Sequence, residues 1–321
     1  MPVGQNAAVT PALKPLRRIA SYGVCEDDAG RILLVRASVH SGTPSLWSLP
    51  GGSVEHGEDP RDTVIRETAE ETGLQVEVTE LRTVLADLRA LPDRGVTLHT
   101  DRIIYQVQVQ GGQLRDQVGG GTDLARWFTR AQAAELPLRP FTADVLKLPA
   151  AAADLRPEQT PELPTVQVVP GPDGRPHAQR FAAYAVATDP TGRILLTRIS
   201  AGYPGAGRWH LPGGGTDVGE EPATALEREL VEETGQRGRV TKLLGVLSHR
   251  DPNCLGPEGY PIDLHSVRAF YRVEVDQPGE PRVVEAPGGS TCEARWFTPA
   301  QLADLPMTDV AYQALSSAGI R

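Results

Sequence analysis

GSVEHGEDPRDTVIRETAEETGL runs from Gly52 to Leu74, and GGTDVGEEPATALERELVEETGQ runs from Gly214 to Gln236. Both follow G-x5-E-x7-R-E-U-x-E-E-x-G-U, where U is apolar. The fixed positions are Gly52, Glu58, Arg66, Glu67, Glu70, Glu71 and Gly73 in the first copy, and Gly214, Glu220, Arg228, Glu229, Glu232, Glu233 and Gly235 in the second. Thr68 and Gln236 depart from the apolar positions, which are packing positions. Glu67, Glu70 and Glu71 stand at i, i+3 and i+4 and so share one helix face, as do Glu229, Glu232 and Glu233. Three carboxylates so close repel one another unless cations or protons intervene.

The repetition extends beyond these stretches. GRILLVRAS from Gly30 recurs as GRILLTRIS from Gly192, and ARWFTRAQAAELPL from Ala125 recurs as ARWFTPAQLADLPM from Ala294. The second copy is longer, mostly after Ser248. A repeat of this length reads as two copies of one domain. The boundaries are 1–150 and 165–321, with a proline-rich linker at 151–164, where locked φ angles and missing amide donors oppose a long helix or a central strand. Thr165 to Val169 (TVQVV) reads as a first edge strand of the second domain. Each half is expected to fold on its own.

A length of 321 residues leaves room for two full cores. A net charge of −9 argues against a nucleic-acid groove. Cys25, Cys254 and Cys292 are scattered and odd in number, with neither metal spacing nor a disulfide framework, so a reducing cytoplasm is the expected compartment. No apolar run is long enough to span a bilayer. The opening MPVGQNAAVTPALKPLRR lacks an apolar core and reads as a frayed tail leading into the first strand.

Strands are expected at ASYGVCEDD, GRILLVRAS, TELRTVLADLRA and LHTDRIIYQVQV. A helix is expected to open at Pro60, with Asp59 as N-cap, and to stop at Gly73; Pro222 and Gly235 play those parts in the second copy. Thr129 and Thr298 cap second helices. Sheets interleaved with helices imply an α/β sandwich.

The duplicated motif resembles the Nudix box, so the chain looks like a tandem Nudix hydrolase. The resemblance implies two α/β/α sandwich domains, each a mixed sheet between helices, and hydrolysis of phosphoanhydride bonds. It also implies Mg2+ or Mn2+ bound by Glu67, Glu70 and Glu71 and by Glu229, Glu232 and Glu233. A lone ExxEE is usually a solvated acidic face. Here Gly51, Gly52 and Gly57 let the backbone approach a phosphate, with Gly214 in the second copy. Arg66 and Arg228 resemble the family arginine that braces the loop glutamate, Glu58 and Glu220. Hard oxygen ligands suit Mg2+, which would neutralise a diphosphate and activate water. An acid from outside the box is expected to assist, either the matched pair Asp116 and Glu285, or Asp123 with Cys292 and Glu293 opposite.

Other matched residues speak less clearly. His99 and Tyr105, like His265 and Tyr271, share one strand face, with Arg102 and Arg268 on the other; a hydrogen-bonded sheet histidine is the expected role. Trp47, Trp209, Trp127 and Trp296 read as core. Pro252 follows the second box at a distance that resembles the ADP-ribose pyrophosphatase branch, and Ala90 stands at the first copy's equivalent. The expected substrate is a small-molecule nucleoside diphosphate linked to another moiety. The alternatives are nucleoside triphosphate sanitising, a small organic (prenyl) diphosphate, or a nucleotide-sensing regulator. Neither nucleic acid nor membrane is expected as a partner. The domains are expected to pair as an internal pseudo-dimer, or the chain as a homodimer.

Overall fold

The computed structural model describes residues 13–150, 166–172, 174–255, 260–284 and 288–320. The linker at 151–164 and the candidate Glu285 lie outside the described residues. In the first repeat β1 (Lys14–Cys25), β2 (Ile32–Ala37), β3 (Trp47–Ser48) and β4 (Gly51–Ser53) precede α1 (Pro60–Thr72). After it come β5 (Leu74–Leu91), β6 (Val96–Gly112), β7 (Thr122–Phe128), α2 (Arg130–Ala134) and α3 (Pro140–Leu146). The second repeat adds β8 (Val166–Pro170) on the edge of β9, then repeats the order as β9 (Pro176–Thr188), β10 (Ile194–Ile199), β11 (Trp209–His210), β12 (Gly213–Gly215) and α4 (Pro222–Thr234). It closes with β13 (Arg239–Leu255), β14 (Pro261–Glu274), β15 (Thr291–Phe297), α5 (Pro299–Leu302) and α6 (Asp309–Ser317). The sheets are mixed: β1 runs parallel to β6 and β9 to β14, while their other neighbours are antiparallel. Both repeats are thus α/β domains of the expected class.

The box helices start and stop where local chemistry directs. Asp59 accepts from Arg61 N at 2.8 Å, and Pro60 occupies a position that needs no amide donor. Gly73 adopts φ 75° and returns its N–H to Ala69 O; Gly235 does the same at φ 67° to Val231 O. Thr68, at an apolar position of the box, is wholly buried and its hydroxyl has no hydrogen-bond partner among the described residues, where the second repeat buries Leu230. Thr129 and Thr298 cap short helices through reciprocal bonds with Gln132 and Gln301. Trp47 and Trp209 are buried edge-on to Phe128 and Phe297.

One expectation is corrected. Lys14 to Arg18 are strand rather than frayed tail: β1 pairs with β6 from Lys14 opposite Val96 to Arg17 opposite His99, and the Arg17 guanidinium meets Asp101 at 3.1 Å in a buried pair. The two repeats also share apolar packing. One apolar cluster joins Ile19, Val64, Ile103 and Tyr105 of the first repeat to Phe181, Leu226, Val267 and Tyr271 of the second, beside a core that each repeat keeps to itself.

Polar contacts cross this seam in approximate two-fold fashion. Arg17 Nη1 donates to Thr216 O at 2.6 Å, and at the matching place Gln179 Nε2 donates to Val54 O at 3.2 Å. Glu221 accepts from Ala86 N at 2.9 Å, and Ser248 Oγ donates to Glu58 O at 3.4 Å. His99, fully buried, accepts from Gly219 N at 2.9 Å through Nδ1 and holds Asp101 at 3.1 Å through Nε2. Burial opposes the Asp101 charge, but His99 and Arg17 outweigh it and hold the carboxyl below its usual range. His99 and His265 therefore serve the seam, so each box loop is pressed against the other repeat's sheet.

Candidate active sites

The first site is built by α1 and the turn before it. Gly51 takes φ 139°, where a Cβ would collide with the β1 backbone, so its N–H can point at Glu71 Oε2, 2.9 Å away. A Cβ on Gly52 would lie 2.5 Å from Glu67 Oε1, so this glycine leaves the space in which the second carboxylate sits. Glu71 is fully enclosed; burial pushes its carboxyl up to about 8 against the pull of the Gly51 amide and with the push of Glu67. Glu67 is also raised, again chiefly by burial. Glu70 is half exposed on the same face.

Arg66 fixes the loop. Its Nε and Nη2 reach Glu58 at 2.8 and 2.9 Å, and Nη1 reaches Glu67 at 3.1 Å and Glu70 at 3.5 Å. Burial opposes the charge of Glu58, but Arg66, Thr63 and the Glu55 amide bring its pKa down to about 2. The second site repeats the plan. Gly213 N donates to Glu233 at 2.8 Å, Glu229 lies under Gly214, and Arg228 bridges Glu220 at 3.0 Å, Glu229 at 3.1 Å and Glu232 at 3.2 Å. Thr291 Oγ1 donates to Glu233 at 2.5 Å.

The surroundings differ. The second site opens into a cleft of about 760 Å³, bounded by Tyr184, His210, Ser248, His249 and Thr308. Arg180 Nε and Arg268 Nη1 are buried there without a hydrogen-bond partner among the described residues. Burial and three nearby arginines push His210 down to about 3, so its ring is neutral, bonded to Thr308 at 2.6 Å. At the first site three arginines, Arg18, Arg102 and Arg139, act on Tyr22, with Arg89 close by. Arg18 donates to the Tyr22 hydroxyl, Arg102 stacks on Phe141 at 4.4 Å and pairs with Asp87 at 2.6 Å, and Arg89 lies 4.0 Å from Asp87. Arg139 is brought down to about 10, chiefly by burial and then by the neighbouring arginine charges. Arg139 also lowers Glu71, so this cationic cluster adjoins the carboxylates.

The box residues thus come together, and among the described residues the candidate acids outside the box, Asp116, Asp123 and Glu293, are held by arginines instead. Asp116 is bound by Arg126 at 2.5 Å and by the Ala125 amide, and Asp123 by Arg36 at 2.8 Å. Glu293 lies between Arg198 and Arg295, and Cys292 is exposed. Arg18, Arg89 and Arg139 were missed because they sit on three elements far apart in sequence; only the twin pair Arg102 and Arg268 left a trace, as the strand face opposite the histidines.

The fold, the doubled carboxylate clusters and their glycine turns now stand beside known proteins. A family model described as NUDIX domain matches residues 16–148 and again 178–317. The chain belongs to the Nudix hydrolase family. It is 31% identical over 156 residues to "Putative 8-oxo-dGTP diphosphatase 3" of Mycobacterium tuberculosis, an alignment that takes in 45% of this chain and 68% of that protein. It is 36% identical over 97 residues to "ADP-ribose pyrophosphatase" of Methanocaldococcus jannaschii, covering 30% of this chain and 54% of that one. A solved Nudix hydrolase from Nitrosomonas europaea aligns at 24% identity and TM-score 0.34, covering 41% of this chain and 87% of its own. The two Nudix domains occupy most of the chain, and no helix among the described residues is long and apolar enough to cross a membrane.

Proposed function

We propose that this Nudix hydrolase splits phosphoanhydride bonds with Mg2+ at both boxes, and that its second domain acts on a nucleoside diphosphate linked to a second group. The observation that carries this reading is the presence of arginines beside each buried carboxylate cluster, which in the second domain lie across one cleft. Glu67, Glu70 and Glu71 fit a hard divalent cation: they are oxygen donors on one helix face, and burial drives Glu67 and Glu71 toward protonation. Glu229, Glu232 and Glu233 offer the same oxygen donors on one helix face, and burial raises Glu229. When bound, the metal would supply charge neutralisation of the diphosphate and a more acidic water.

The chain's own residues do the rest. Arg66 and Arg228 orient the clusters through Glu58 and Glu220. Arg268 and Arg180 line the second cleft with buried nitrogens that have no hydrogen-bond partner among the described residues and suit anionic oxygens, whereas Arg102 is held by Asp87. Glu70 and Glu232, the most exposed of the clustered carboxylates, accept the proton of the attacking water. Asp116 would serve as the outside acid only after leaving Arg126.

The relatives bear names of both a modified nucleoside triphosphate and ADP-ribose, so the cleft must decide between them. In the second domain the 760 Å³ cleft and the neutral His210 favour a bulky linked diphosphate. In the first domain the arginine cluster beside Tyr22 favours a smaller substrate with more phosphate charge. The test is a panel of linked diphosphates and nucleoside triphosphates with Mg2+, read by phosphate release and product mass. Hydrolysis of triphosphates alone by both domains would overturn the assignment.

A further inference from the structure

A cluster unrelated to either carboxylate set lies at the seam. His56 Nε2 stands 3.0 Å from Asp263 Oδ1, and His177 Nε2 stands 3.9 Å from Asp263 Oδ2. The two imidazole rings stack with centroids 4.0 Å apart and planes 19° apart. One ligand atom from each of the three residues lies within 4.8 Å of the others. None of the three lines the 760 Å³ cleft. We propose that His56, His177 and Asp263 form a site for one Zn2+ ion, which ties the box loop of the first domain to the sheet of the second.

The fold fixes the donors before any ion arrives. Asp263 and His177 are register partners on the parallel strands β14 and β9, so the sheet sets their spacing. His56 lies in the loop between β4 and α1, which Arg66 and Thr63 hold through Glu58. Around zinc at about 2.0–2.2 Å from nitrogen and oxygen donors, neighbouring ligand atoms stand roughly 3–4 Å apart. The separations of 3.0 and 3.9 Å already fall in that range. Two imidazole nitrogens and a carboxylate suit zinc and not magnesium, which wants oxygen alone.

The surroundings fit as well. Asp263 is wholly buried, while the side chains of His56 and His177 are 17% and 14% exposed, so an ion can enter and water can complete its coordination. Arg250 fixes both oxygens of Asp263, Oδ1 at 2.9 Å and Oδ2 at 2.5 Å, and Gln179 and Ser248 hold His265 beside the ring of His56. Such outer partners orient ligands. The matching places on the other side of the seam are Pro15, Thr97 and Val218, with Pro15 and Thr97 again in register, and none can bind a metal. The site is therefore single, which a general requirement of the duplicated fold would not produce.

The experiment loads the full chain with zinc chloride in large excess of Mg2+, removes free ions by desalting, and counts bound zinc by mass spectrometry while recording Tm. Wild type and the Glu71→Gln/Glu233→Gln double variant should each retain one zinc, and zinc should raise the wild-type Tm. His56→Val, which copies the residue at the matching place, and His177→Gln should each weaken zinc binding at least about tenfold and abolish the Tm rise. His177→Gln decides the matter if His56→Val does not fold. A wild type without zinc, equal zinc in both histidine variants, or zinc lost from the glutamine double variant would overturn the proposal.

Discussion

Replacing Gly214 by alanine tests how finely the second cluster is placed. Gly214 is not among the positive-φ glycines, so alanine is acceptable to the backbone. Its Cβ, however, would stand 2.5 Å from Glu229 Oε1 and 2.6 Å from Cδ. Relief to ordinary contact moves the carboxylate by roughly 1 Å. A misplacement of that size in a catalytic array costs about 100-fold, or ~2.7 kcal/mol of transition-state stabilisation. Folding stability should change by no more than about 1 kcal/mol. Gly213→Ala is the contrast: φ is 138° and the new Cβ would lie 2.8 Å from Tyr184 Cα, so the fold itself should suffer. The assay measures kcat/KM, Mg2+ dependence and Tm in a Glu71→Gln background, where only the second site works. Gly214→Ala should keep Tm, lose activity and need more Mg2+. Unchanged kcat/KM and Mg2+ dependence would show that Glu229 has no part in the metal site.

Three further outcomes follow from buried polar groups. Thr68→Val should stabilise the chain by about 1 kcal/mol in denaturant titration, since it removes a buried hydroxyl without a hydrogen-bond partner; a loss of stability would mean that the hydroxyl is satisfied. Arg17→Ala should cost about 3–5 kcal/mol, because it strips the guanidinium from the buried Asp101; a cost under 1 kcal/mol would refute the buried pairing. His210 is held at about 3 in the fold against an ordinary value near 6.5, so the unfolded chain binds its proton first as pH falls. Its contribution is whole above about pH 6.5 and is lost on the way down toward pH 3, about 2 kcal/mol of it by pH 5. His210→Gln should remove that share of the acid slope, and an unaltered slope would place the ring in contact with water.

The sequence made the box helices legible to the residue, because caps, proline and glycine act locally and the carboxylates lie on one turn. It also showed the duplication, through stretches such as ARWFT that recur outright. The seam was not legible. Arg17, His99 and Thr216 meet across a long stretch of chain, and Ile19, Val64 and Leu226, which share one cluster, look in sequence like residues of private cores. The arginines at the first site stayed hidden for the same reason: Arg18, Arg89 and Arg139 belong to β1, β5 and the start of α3, with no shared motif. α3 and α6 went unread as well; each is short, and their apolar residues follow prolines and a threonine cap that read equally as loop.

The most direct test of two working, differently tuned sites is kcat/KM for ADP-ribose and for a nucleoside triphosphate, measured on Glu71→Gln, Glu233→Gln and the double variant. Glu233→Gln should lose most ADP-ribose hydrolysis, Glu71→Gln should lose most hydrolysis of the more highly charged substrate, and the double variant should lose both. Equal losses of both substrates in the two single variants, or activity surviving in the double variant, would contradict the account.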